Sequence, residues 1–323
     1  MPGISSFYQD SAAAQRMVQD QAVKSEPLIG CVVLNTNRRD DTIECLTSLF
    51  SSDYRNIRVI VLDCQSTDGS VDSIRARFSE AHVVPLDENK GYAGNNNVGI
   101  RMALEQGADW VFVLNEDTVF ARSCLSELVR VGESNPRIGV VGPLVYHHDE
   151  PTVIQSAGGK VNARWEIDHF GKNQPDVGQF SHPHDVQWIS GCAILVRRDV
   201  IEQVGPIDER FFIYWEETEW CIRAAKAGWR IVHVPQAKMW HKGVQRDYRP
   251  EPHVTYYSTR NRLLTLSKHR APLTAWGVAW AQLLRTLVSW TVRPKWTHLR
   301  AHRNAMWRGI NDFLHARWGQ MVS

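Results

Sequence analysis

The chain lacks the short glycine motifs by which many nucleotide-binding proteins hold a diphosphate. No G-x-G-x-x-G follows its first apolar run, and no G-x-x-x-x-G-K-[ST] occurs. GYAGNNNVG (91–99) carries three glycines at the wrong spacing for a dinucleotide fingerprint. If a diphosphate binds, backbone amides are not its obvious cradle, and a divalent cation has to offset its charge. Cysteine is also sparse. The six residues Cys31, Cys45, Cys64, Cys124, Cys192 and Cys221 show no metal-ligand spacing, and several fall in strand-like runs. They read as reduced core residues of a cytosolic protein, which excludes a disulfide frame. Residues 1–27 contain no apolar segment after a basic start, so no signal peptide is expected and the segment reads as a flexible leader.

Net charge is scarce as well, at +2, but it is unevenly placed. Residues 242–323 hold 14 Lys and Arg against 3 Asp and Glu, leaving 23 against 32 for the rest. A basic tail behind an acidic body suggests an anionic partner for the tail. The 323 residues are 43% hydrophobic and 22% charged, ordinary for a globular protein with a sizeable core.

From Leu28 onward strand and helix signals alternate. IGCVVLN (29–35), IRVIVLD (57–63), HVVPLD (82–87), DWVFVLNED (109–117) and IGVVGPLVY (138–146) read as strands. Between them lie helical patterns, one opened by Ser66 or Thr67 as a cap and one reached through a loop at GYAGNNN. This alternation predicts an α/β fold with a mostly parallel sheet covered by helices. The middle, 146–187, is weakly periodic and reads as loops and short strands. DVQWISGCAILVRR returns to a strand, and RRDVIEQVG to a short helix stopped by Gly205. FFIYWEETEWCIRAAKAG reads as one helix ending at Gly228, and WRIVHVP as a strand closed by Pro235.

Three strands end in polar residues: Asn35, Asp63 and Asn115–Glu116–Asp117. Ligands of open α/β sheets bind beyond the carboxyl ends of the strands, so these residues are expected to converge on one crevice. Asp117 is a candidate ligand for a hard cation. His241, just past the last strand, is a second candidate, although a lone histidine is more often a plain surface or core residue. YWEETEW supplies Glu216, Glu217 and Glu219. Acids suit a first helical turn, and Glu219 with Arg223 forms an i,i+4 surface pair. Flanking aromatics also suit a partly desolvated carboxylate acting as a base. Pattern alone leaves both readings open.

VVLNTNRRD, VLDCQSTDGS, NKGYAGNNNVGI, GADWVFVLNEDT, the long block from GCAILVRRD to MWHKG, and YYSTRNRLL occur in this order. So arranged, the chain resembles family-two glycosyltransferases, most of all the bacterial rhamnosyltransferase-like branch, over about 28–264; WRGINDFLHARWG near the end fits too. The resemblance implies a GT-A fold, a Rossmann-like nucleotide-binding sheet with helices on both faces, and inverting transfer of a sugar from a nucleoside diphosphate. It implies that Asn35, Thr36 and Asp63 hold the nucleoside, with Asp63 facing a pyrimidine, and that Asn96 and Asn97 lie near diphosphate and ribose. NED becomes the D-x-D-like motif, with Asn115 and Glu116 at the donor and Asp117 on Mg²⁺ or Mn²⁺, supported by His241. Glu217 matches the base. The sequence departs from the family at four positions. Asn115 stands for an acid, Glu217 for an Asp (which could hand the role to Glu216), Thr36 for an aromatic, and Cys64 for Asn or Asp. The implied partners are a dTDP- or UDP-sugar, best matched by dTDP-L-rhamnose, and a glycan or lipid-linked acceptor of cell-surface glycan assembly. A processive synthase is disfavoured because there is no Q-x-x-R-W and no set of spans. The alternative is a non-catalytic sugar-nucleotide-binding or membrane-scaffold protein of the same fold.

The expected organisation is a leader (1–27), a catalytic domain (28–243, donor part 28–145 and acceptor part 146–243), and a helical, basic, Trp-rich appendage (244–323). In that appendage 271–292 carries one charge, Arg285, and is long enough to span a bilayer. It is only moderately hydrophobic, however, and Trp276, Trp280 and Trp290 recur, with Arg293, Lys295, Arg300 and Arg303 following. Such elements favour an anionic membrane surface, here the inner face of the plasma membrane; the alternative is packing on the catalytic domain. No nucleic-acid motif accompanies the basic charge.

Overall fold

The computed structural model describes residues 26–243 and 249–321, so nearly all of the expected leader lies outside the described residues. Twelve strands are described: β1 (Ile29–Asn35), β2 (Ile57–Asp63), β3 (Ala81–Pro85), β4 (Trp110–Asn115), β5 (Thr118–Phe120), β6 (Ile138–His147), β7 (Ile154–Ser156), β8 (Gly159–Val161), β9 (Ile167–His169), β10 (His184–Asp185), β11 (Ala193–Arg197) and β12 (Arg230–His241). The main sheet runs β10-β12-β6-β11-β4-β1-β2-β3, with β5 paired to β12 and β7 to β6; β8 and β9 form a separate ribbon. β1 is parallel to both β2 and β4, β2 to β3, and β6 to β12, while β11 runs antiparallel between β4 and β6. The carboxyl ends of β1, β2, β4, β6 and β12 therefore share one edge.

Both faces of the sheet are covered, which is why its central strands are continuous apolar runs. Cys31 and Val33 point to one face, against Cys45, Leu46 and Leu49 of helix Arg39–Phe50. Val32 points to the other, against Ile100 and Ala103 of helix Gly91–Glu105. That second helix lies close to β1 because Gly99 has no side chain; a Cβ there would overlap Val32. Replacing Leu46 or Leu49 with Ala in this packed layer would cost about 2–5 kcal/mol.

Several boundaries differ from the sequence reading, each for a local reason. Helix Ser70–Arg77 starts beyond Ser66 and Thr67, and the Asp68 carboxylate accepts from the Ser70 amide at 3.1 Å. Helix Gly91–Glu105 begins at Gly91 itself, so no loop precedes its asparagines. β11 starts only at Ala193; Gly191 and Cys192 form a turn closed by the Ala193 amide on the Ser190 carbonyl, and all three of Ser190, Gly191 and Cys192 line the crevice. β12 continues through Pro235 by shifting register between Val234 and Lys238, a bulge that tolerates the missing amide. His241 is accordingly the last residue of a strand. The helix expected over 211–228 starts only at Glu216, because Phe212, Tyr214 and Trp215 take positive φ (65°, 66° and 75°).

Helices Pro252–Lys268, Leu273–Val292 and Arg300–Leu314 pack together through Leu263, Leu266, Ala275, Ala279, Met306 and Ile310. Leu264 joins this unit to Phe211 and Trp215 of the sheet-bearing body. The tail therefore packs on the body. One face of Leu273–Val292 still points outward, leaving Leu284, Val288 and Val292 exposed. Among the described residues no helix is long and apolar enough to cross a membrane.

Candidate active site

The shared strand edge carries a cleft of ≈ 380 Å³. Asn115, Glu116 and Asp117 come from the end of β4, His241 from the end of β12, and Glu216 and Glu217 from the first turn of helix Glu216–Lys226. The fold brings the distant His241 here through β5. Immediately after Asp117 the chain pairs with β12, Thr118 opposite His241, and the Lys242 amide donates to the Asp117 carbonyl at 2.9 Å.

His241 Nε2 lies 3.1 Å from Asp117 Oδ1 and 3.4 Å from Asn115 Nδ2. Its Nδ1 faces Gln155 Oε1 at 2.8 Å, which requires the proton on Nδ1. In a neutral ring the Nε2 lone pair would then face a carboxylate oxygen that accepts no hydrogen bond. A cation between the two removes that repulsion: a proton on Nε2, or a metal ion. Burial pushes Asp117 up, but the His241 ring and Arg38, whose Nη1 is 3.4 Å from Oδ2, outweigh it and hold the carboxyl below its usual range. Gly243 completes this corner, where a Cβ would overlap Asp117 Oδ2. Burial and the neighbouring Asp117 raise Glu116 to about 7. Among the described residues no group of three or more His, Cys, Asp or Glu could hold a metal by itself. Asp117 and His241 are the carboxylate and imidazole that meet at this corner.

Glu216 and Glu217 are not equivalent. Glu216 is buried, and its Oε2 has no partner among the described residues. Desolvation and the adjacent Glu217 push its carboxyl well above the ordinary range. Desolvation also raises Glu217, against the backbone amides of Glu217 and Thr218 and the Thr218 hydroxyl, 3.3 Å away. Burial thus raises both carboxyls, Glu216 the further, and the pair favours one negative charge over two. Glu219 differs from its surface reading. It is fully buried, bonded to Arg223, and also meets Lys268 Nζ at 2.8 Å and His269 Nε2 at 3.1 Å.

The expected nucleoside residues lie next to the cleft. Asn35 and Asp63 are paired across β1 and β2, and Asn35 Nδ2 donates to Asp63 Oδ1 at 2.6 Å. Asn35 is wholly buried and also accepts from the Thr42 hydroxyl, so it orients Asp63. Asp63 Oδ2 accepts from the Ser66 amide, and Thr36 is exposed beside them. The two asparagines expected at the diphosphate are otherwise engaged. Asn97 grips the Ile207 backbone in both directions, at 2.8 and 3.0 Å, and bonds Glu209; Asn96 is buried and donates to the Tyr92 carbonyl. Neither is among the cleft-lining residues; Asn97 braces the helix, and the buried Oδ1 of Asn96 has no hydrogen-bond partner among the described residues.

Sequence reasoning missed Arg38, Tyr92, Ser190 and Gly191, which line the cleft, and Gln155 behind His241. Arg38 had a signal: it opens an Arg pair three residues past the strand-end Asn35. Gln155 had none, because it comes from the weakly periodic middle.

A mostly parallel sheet covered by helices, with polar strand ends opening on one cleft, is the architecture of the GT-A fold. Residues 31–205 match the family model "Glycosyl transferase family 2", and the chain belongs to that family. It is 29% identical over 264 residues to an N-acetylglucosaminyl-diphospho-decaprenol L-rhamnosyltransferase of Mycobacterium tuberculosis, covering 75% of this chain and 86% of the relative. It is 27% identical over 266 residues to the dTDP-rhamnosyl transferase RfbF of Shigella flexneri, covering 79% and 87%. The solved structure of a Pyrobaculum calidifontis mannosyltransferase, in complex with GDP-Man and Mn²⁺, superposes with TM-score 0.58 at 16% identity, covering 91% of this chain and 89% of that one. The likeness extends to the fold, and the enzyme class follows from the family.

Proposed function

We propose that this glycosyltransferase is metal-dependent and inverting, and that it moves L-rhamnose from dTDP-L-rhamnose to a lipid-linked or saccharide acceptor in cell-surface glycan assembly. The relatives from M. tuberculosis and S. flexneri support the donor and acceptor classes. The observation that supports the mechanism is that Asp117, His241 and Glu217 line one cleft, with His241 beside Asp117.

Asp117 and His241 would hold Mg²⁺ or Mn²⁺, whose charge stabilises the departing diphosphate when bound. Arg38 adds a cation of the protein's own at the same corner. Asp63, oriented by Asn35 and the Ser66 amide, faces the base. Glu217 takes the proton of the acceptor hydroxyl as that oxygen attacks the anomeric carbon. Glu216 keeps its proton, so one carboxylate alone is charged there. Inversion by one displacement needs one base and no nucleophilic carboxylate.

The tail would rest on an anionic membrane surface on the cytoplasmic side. The exposed Leu284, Val288 and Val292 border the same groove as Arg285 and Arg293, which supports that reading. A screen of nucleotide sugars for metal-dependent hydrolysis or transfer tests the proposal. We expect turnover with dTDP-L-rhamnose that chelation abolishes; turnover that is indifferent to metal, or restricted to another sugar, refutes the corresponding part.

A further inference from the structure

The segment between Glu209–Phe211 and the acid-bearing helix is held in a shape its residues do not favour. Phe212, Tyr214 and Trp215 all take positive φ, which is costly for bulky side chains. Two side chains of helix Pro252–Lys268, from the YYSTRNRLL block, grip its carbonyls. Asn261 Nδ2 lies 2.8 Å from the oxygens of Phe211, Ile213 and Tyr214 alike. Arg260 Nη2 donates to Arg210 O at 3.1 Å and Phe211 O at 3.0 Å, and its Nη1 donates to Gly319 O at 2.7 Å. Both side chains are wholly buried. From the opposite side the Ala93 amide donates to Phe212 O at 3.0 Å, and Gly91, with φ of 72°, leaves no room for a Cβ against Phe212. One turn further on, Glu219 is fixed by Lys268, from the same C-terminal helix.

We infer that Asn261 and Arg260 are positioning residues that set the entry of helix Glu216–Lys226, and through it the reach of Glu217 toward the acceptor. The inference rests on the proposed role of Glu217. It also gives the tail a positioning role, because both residues lie in helix Pro252–Lys268 of the C-terminal appendage. The two residues touch no reacting atom in this arrangement; they act through the backbone of 210–214.

The test compares Asn261→Ser and Arg260→Lys with the intact chain, rates being normalised to folded protein. Misplacing a base by about 1 Å costs on the order of 10²-fold. Asn261→Ser should therefore lower kcat by about that factor while donor KM and UDP or dTDP affinity stay within threefold. Arg260→Lys, which keeps the charge but cannot reach every carbonyl, should fall between the two. Hydrogen exchange should quicken at the amides of 212–218 and stay unchanged in 95–100. Unchanged kcat per folded molecule, or unchanged exchange at 212–218, overturns the inference. If Asn261→Ser does not fold, the same readouts on Arg260→Lys decide. Glu217→Gln separates the two ideas. If it retains turnover, the base assignment fails. If it is inactive while both clamp variants turn over normally, only the clamp fails.

Discussion

His241 Nε2 stands 3.1 Å from Asp117 Oδ1, and the opposite ring nitrogen is committed to Gln155. Gln155 thereby decides which nitrogen faces the carboxylate. Outer partners of this kind change metal affinity by about 10- to 100-fold when removed. Gln155→Leu should weaken Mn²⁺ binding by that factor, measured by calorimetry with a nucleoside diphosphate present, while metal-free stability changes little.

Glu217→Gln should lower kcat by roughly 10²- to 10⁴-fold, the usual worth of a general base, and leave nucleotide binding intact. Glu216→Gln should stay within about tenfold, because a protonated acid is replaced by a neutral isostere. The pH profile checks this division. Glu216, Tyr92, Cys192 and Cys221 interact electrostatically with Glu217, and the Thr218 hydroxyl donates to it. Burial raises Glu217, and the base must be ionised, so activity rises with pH along a limb above the ordinary value of about 4.3. Glu216→Gln should leave that limb in place. A downward move of about one unit, worth about 1.4 kcal/mol, would mean that Glu216 is charged.

Much of this was legible in the chain. β1 and β2 have the boundaries their apolar runs predict, because strands buried on both faces need uninterrupted Val, Ile and Leu. Asp117 was legible as a polar stop on such a run. The shape of 211–215 was not, since its local sequence is a good helical pattern and the distant Asn261, Arg260 and Ala93 bond its carbonyls instead. Asn96 and Asn97 fell where the family pattern implies the diphosphate, but Asn97 is used up by Ile207 and Glu209. Periodicity cannot report such non-local hydrogen bonds.

Glu219 shows the same limit and yields a stability prediction. Burial raises its carboxyl, but His269, Arg223 and Lys268 more than compensate, so its folded-state pKa lies below the unfolded one. The stabilisation is then present above the unfolded value of about 4.3 and is lost as pH falls through the folded value. Glu219→Ala removes the carboxylate shared by Arg223, Lys268 and His269, with Lys268 keeping Asp208, and should cost about 3 kcal/mol. Urea unfolding at pH 7 measures this loss, and the variant should show a shallower fall of stability below about pH 4.

The outward face of helix Leu273–Val292 predicts membrane contact. Flotation with anionic vesicles should recover the intact chain, and Leu284→Glu with Val288→Glu should abolish recovery while transfer to a soluble acceptor continues. Flotation should also fade as salt rises past about 0.15 M, where charges are screened beyond roughly 8 Å.

The central claim is that nucleotide and divalent ion bind as one unit against Asp117 and His241. Calorimetric titration of dTDP and of UDP into the protein, with and without Mn²⁺, tests it most directly. At least one of the two should bind about tenfold or more tightly with Mn²⁺, a difference of about 1.4 kcal/mol that Asp117→Asn and His241→Ala each remove. Equal affinity with and without the ion, or a gain that survives both substitutions, would contradict the account.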